Sequence, residues 1–150
     1  MPELDHVAVR DIARTHVARL CSALPPGPAV AQLQNICGRG WELLRTPAFA
    51  RMHRLAVAEV PGSPELARFS AEEVYGPLVQ VVARTIEQGI AEGAFRPISA
   101  PAAARLIVSA LVQQALWCNH AAAFGPSLAG GCHRVVAETL SLVLGGLTLR

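Results

Sequence analysis

The chain has 150 residues, the length of one domain, with 52% hydrophobic residues and a net charge of +2; a domain of this size buries roughly 70% of its unfolded surface, so a true core is available. Its thirteen basic residues are all arginine and are scattered, and Asp11 interrupts Arg10 and Arg14, which share a helical face; this excludes the clustered charge of a nucleic-acid footprint. No apolar run approaches the roughly 20 residues that span a bilayer, because Arg105 with Gln113 and Gln114 breaks one candidate and Glu138 the other.

Helical spacing dominates and no alternating strand pattern occurs. The first segment runs from about Pro2 to Leu24, with Val9, Ala13, Val17, Leu20 and Leu24 three or four residues apart, and the run PPGP at 25–28 ends it, since proline lacks the amide proton a helix needs. The second, Ala29–Leu44, sets Leu33, Ile36, Cys37, Gly40, Trp41 and Leu44 on one stripe. Gly38 and Gly40 weaken that helix and let a neighbouring helix or a ligand come close.

Thr46-Pro47 and Ser63-Pro64-Glu65 are two helix starts, each a capping hydroxyl followed by proline at the first helical position. Phe49, Met52, Leu55, Ala56 and Val60 form the stripe after the first, and Pro61-Gly62 stops it. After the second, a long helix passes through Leu66, Phe69, Leu78, Val81, Val82 and Ile86, and ends near Gly93. Gly76-Pro77 is expected to kink it.

The fifth segment starts at Ser99, has Pro101 just inside and runs to about His120; it is apolar around nearly its whole circumference, apart from Arg105, Ser109 and Gln113. The sixth runs from about Gly131 to Leu144, and Gly145-Gly146 is expected to end or fray it. Its Val135, Val136, Leu140, Leu142, Val143, Leu144 and Leu147 cover about 200° of arc, where a helix packed on one core needs about 100°. Two helices with surplus apolar surface point to a symmetric partner. The expected fold is all-α, a single-domain bundle of about six helices, the last two joining their copies in a partner to form an intermolecular four-helix bundle.

Chemical motifs are scarce. Cys21, Cys37, Cys118 and Cys132 form no CxxC pair and no signal peptide is visible, so free, mostly buried thiols in a reducing cytoplasm are expected. Cys118-x-His120 and Cys132-His133 lack the regular spacing of a zinc site, so no metal is expected. There is no GxSxG, GxGxxG or Walker loop, and Glu72, Glu73, Glu87 and Glu92 read as exposed helix charges. No catalytic residue and no cofactor are expected.

The run LLRTPAFARMHRLAVAEVPGSPELARF and the later EQGIAEGAFRPISAPAAARLIV resemble the C-terminal domain of TetR-family transcriptional regulators. The likeness rests on Leu55–Glu59, Pro64–Ala67, Gly89 with Gly93–Arg96, and Pro101–Leu106, and covers about residues 40–117. It implies a helical domain that dimerises through its last two long helices and binds a small apolar or aromatic effector within each subunit. On that fold Trp41, Phe49, Met52, Val82, Ile86 and Leu111 are expected to line the pocket, with His53, Tyr75 and Gln114 as polar handles. Leu106, Ala110, Gln113, Trp117, Val135, Thr139 and Leu142 are expected at the homodimer interface. The family's DNA-reading headpiece has no counterpart here, so the chain is expected to be a headless sensor or a piece of a longer regulator, with no nucleic-acid binding by itself and no membrane association. The alternative is a stand-alone helical interaction module.

Overall fold

Proline and its capping hydroxyls set where the helices begin. The computed structural model describes residues 2–149, with side chains from Val7 onward except Val9; that member of the first stripe lies outside the described side chains. Helix α1 (Pro2–Ser22) leads to α2 (Ala29–Leu44) and α3 (Pro47–Glu59). Then α4 (Pro64–Phe69), a π-helical turn (Ser70–Tyr75) and α5 (Gly76–Ala91) follow without a break. Next come α6 (Ala100–Asn119), two short helices, α7 (Ala121–Phe124) and α8 (Pro126–Ala129), and finally α9 (Val135–Leu147). Counting α4, the π turn and α5 as one rod, six rods build an all-α bundle. Among the described residues the sole β feature is an isolated bridge between Phe95 and Thr148.

The starts read from sequence carry the expected caps. Thr46 accepts from the Phe49 amide, Ser63 from Leu66 and Ser99 from Ala102, each with proline in the first turn. Helix α2 starts differently, since Pro28 offers no side-chain cap. The Glu92 carboxylate reaches across from the end of α5 and accepts from the Ala29 amide at 3.2 Å. A negative group there satisfies an orphan donor and suits the helix dipole, so Glu92 is a cap rather than an idle surface charge.

Three regions depart from the sequence reading. At Gly76-Pro77 the long rod is interrupted by the π turn, in which the Gly76 amide donates to the Ala71 carbonyl five residues back; widening the turn re-phases the helix around a proline that cannot donate. A Cβ on Gly76 would collide with that carbonyl. At the other end, α9 continues through Gly145 and Gly146 to Leu147, because Leu147 is buried and holds the last turn in place. Between the fifth and sixth predicted segments the chain carries two further short helices, α7 and α8.

The cysteine expectation is corrected at two positions. Cys118, near the end of α6, and Cys132, just before α9, are joined in a disulfide with Cα atoms 6.0 Å apart. Their separation of 14 residues has no local signature, and only the turns through α7 and α8 bring them together. Cys21 and Cys37 are free thiols.

Helix α5 packs against α1, α2 and α6. Leu33, Val74, Ile86 and Phe95 are among the residues buried completely or nearly so. Phe95 explains one of the glycines: the carbonyl of Gly89 accepts from the Ala94 and Phe95 amides, and a Cβ at Gly89 would overlap the Phe95 ring. The chain reverses at Gly93, at φ 76°, which turns the Phe95 ring back onto α5.

Candidate functional site

Where α1, α2, α5 and α6 meet, their apolar stripes leave a gap. Leu20 of α1, Ile36, Cys37, Gly40 and Leu44 of α2, Leu78 and Val82 of α5, and Ile107, Val108, Leu111 and Val112 of α6 enclose a cavity of about 30 Å³. Its wall is carbon and one thiol. Burial pushes the Cys37 thiol up to about 12, so it stays neutral and behaves as a small apolar group. A cavity this size matches roughly one water's share of liquid volume, and one of roughly 150 Å³ is needed to take benzene. An aromatic or alkyl ligand must therefore spread the helices to enter.

A second hollow of about 10 Å³ adjoins it, lined by Leu44, Phe49, Ala50, His53, Val112, Ala115, Leu116, Asn119 and His120. Leu44 and Val112 are common to both spaces. This second space has a polar end. The His53 ring meets the Tyr75 hydroxyl at 2.7 Å through Nδ1, and Phe49 packs edge-on to Tyr75 with ring centroids 6.4 Å apart. Burial pushes the Tyr75 phenol up to about 12. Burial, helped by the nearby His120, lowers the His53 imidazole from its ordinary value. The direction of that bond depends on the His53 tautomer; with the phenol donating to Nδ1, the ring proton sits on Nε2. Tyr75 reaches this position from the last residue of the π turn.

Of the residues expected around a pocket, the structure brings Val82 and Leu111 to the main cavity and Phe49 and His53 to the second, with Tyr75 behind His53. Met52 and Ile86 are buried in the core without lining either space. Trp41 lines neither space; it is half-buried, with the Arg45 guanidinium 5.9 Å from its ring centroid. Gln114 is corrected: its amide donates to Thr139 Oγ1 at 3.4 Å, so it bridges α6 and α9 instead of entering the cavity. The lining positions missed at first are mainly on α2 and α6. Their signal is in the sequence: Ile36, Gly40 and Leu44 repeat every four residues, as do Ile107 with Leu111 and Val108 with Val112. A Cβ added to Gly40 would meet nothing within 4 Å.

The outer faces of α6 and α9 form a second region of interest. Leu106 is 71% exposed and Leu142 is 80% exposed, while Val135 is 7% exposed and belongs to the subunit's own core. Ala110 and Gln113 are exposed, and Trp117 and Thr139 are half-buried. The uncovered side of helix α6 is thus mixed, with Leu106 and Ala110 exposed beside Arg105, Ser109 and Gln113.

The family described as AefR-like transcriptional repressor, C-terminal domain, matches residues 31–144. That span includes most of the cavity wall and both outer helices. A search of the curated proteins finds no match. No helix among the described residues is long and apolar enough to cross a membrane.

Proposed function

Since the chain belongs to the AefR-like C-terminal domains of TetR transcriptional repressors, we propose that it senses a small apolar or aromatic effector in the α1–α2–α5–α6 cavity and transmits occupancy to DNA release in a parent regulator. The observation that carries this reading is the cavity wall. Eleven residues from four helices, ten of them with side chains, converge on one space without a charged group among them, as a site for an apolar ligand requires. Because the empty space is small, ligand entry costs helix separation. Leu20 couples that separation to α1, the helix that leads toward a DNA-reading headpiece in this family. The shift is limited by the effector's differential affinity for the two arrangements.

Dimerisation is the second half of the reading. Leu106, Ala110, Gln113 and Trp117 of α6, with Thr139 and Leu142 of α9, form the face offered to a second copy, and four helices then close an intermolecular bundle. Val135 is left out of this face because its own subunit buries it.

A thermal-shift screen with apolar and aromatic compounds tests the sensor: a ligand at 100 times its Kd adds roughly 2.7 kcal/mol of apparent stability. Sedimentation tests the dimer. A chain that stays monomeric at high concentration and responds to no compound would leave a helical interaction module as the better account.

A further inference from the structure

We propose that the effector is an amphiphile with a carboxylate head: its apolar body opens the main cavity, and its head lies between His53 and His120 in the adjoining hollow. This rests on the sensor reading and names the ligand class that the site would take. Only Leu44 and Val112 are shared between the two spaces, so a ligand that displaces these two side chains occupies both. One space has an apolar wall. The other ends in two imidazoles and an amide and has no carboxylate in its lining.

The amide is already used. Asn119 Nδ2 donates to the Leu44 carbonyl at 3.0 Å, and its Oδ1 accepts from Arg45 Nη1 at 2.9 Å. That bond also holds a guanidinium beside the polar end. The His53 Nδ1 is taken by Tyr75, which leaves Nε2 as the ring nitrogen for a further partner. His120 stands at the C-cap of α6, where its recorded bonds are made by the backbone. An anionic head would accept from both ring systems and would sit near the Arg45 guanidinium that Asn119 holds at this end. A neutral head would gain only ordinary hydrogen bonds, and a cation would meet the Arg45 guanidinium held beside this end. Hydrogen bonds to an ionised acceptor are about twice as strong as neutral ones.

Titration calorimetry near neutral pH, with octanoate and 1-octanol as probes, tests the head-group assignment. The two share an apolar body. Octanoate is expected to bind at least about tenfold more tightly, the worth of one charge-assisted bond. The double variant His53→Gln/His120→Gln is expected to erase that preference while octanol binding persists. His120→Gln alone, at a helix end, is expected to show a smaller loss of the same sign if the double variant does not fold. Equal binding of the two probes to the unmodified protein, or a preference that survives both substitutions, overturns the proposal but leaves an apolar sensor standing. Binding of neither probe overturns the proposal together with the sensor reading.

Discussion

Leu111 and Leu142 are the same residue type on two adjacent elements, α6 and α9, yet they stand at opposite extremes. Leu111 is 5% exposed on the cavity wall; Leu142 is 80% exposed on the outer face. The inner region is apolar because four helices of one chain need it to be. The outer region keeps Leu106 and Leu142 exposed without any need from this chain, and that difference motivates the proposed contact with a second copy. Hydrophobicity alone does not separate the two roles; what covers each residue does.

The sharpest way to break this comparison is truncation at both sites. Leu111→Ala is expected to cost roughly 3 kcal/mol in denaturant unfolding, from lost transfer energy plus an enlarged cavity. At protein concentrations low enough to keep the chain monomeric, the same change at Leu142 is expected to leave the fold's stability nearly unchanged. Equal costs would mean that the outer face is covered within the subunit.

The Cys118–Cys132 bond ties the end of α6 to the start of α9. Reduction is expected to lower stability by about 3 kcal/mol, since it releases a loop of about 15 residues in the unfolded chain. A Cys118→Ser/Cys132→Ser variant is expected to show no further change on adding reductant, read by denaturant unfolding.

Charge on the outer face sharpens the other side. Leu106→Asp with Leu142→Asp is expected to shift sedimentation toward monomer while the helical circular dichroism signal is kept. An unchanged dimer would move the interface elsewhere.

A smaller effect is expected at Gly40. Gly40→Ala is expected to raise stability by about 1 kcal/mol, because alanine favours the helix and its methyl would meet nothing within 4 Å. Because Gly40 lines the main cavity, the added methyl is also expected to weaken effector binding.

The last test is pH. The His53 imidazole is lowered by burial and by His120, so below its ordinary pKa of about 6.5 the unfolded chain binds a proton that the folded one resists. Stability is therefore expected to fall as pH drops below that point. The His53→Gln variant should show a shallower acid limb in thermal melts.

Much of the architecture was legible in the chain. Thr46-Pro47, Ser63-Pro64 and Ser99 with Pro101 mark starts because capping and proline act within a few residues. The apolar stripes of α2 and α5 were legible because helical periodicity is local as well. The candidate site was only partly legible. Val82, Leu111, Phe49 and His53 were within reach, whereas Leu20, Ile36 and Val112 join them only once four helices are docked. Gln114 read as a ligand handle, but its partner Thr139 lies on another helix.

What the sequence determined by itself is the set of helices, their caps and the excess of apolar surface on the last two, all of which depend on neighbours three or four positions away. The tertiary structure decided which apolar residues face a cavity, which cysteines meet, how Glu92 comes to cap α2, and that Tyr75 meets His53 across 22 residues. These are contacts between residues far apart in the chain, and their geometry is set by how the helices pack rather than by any single helix.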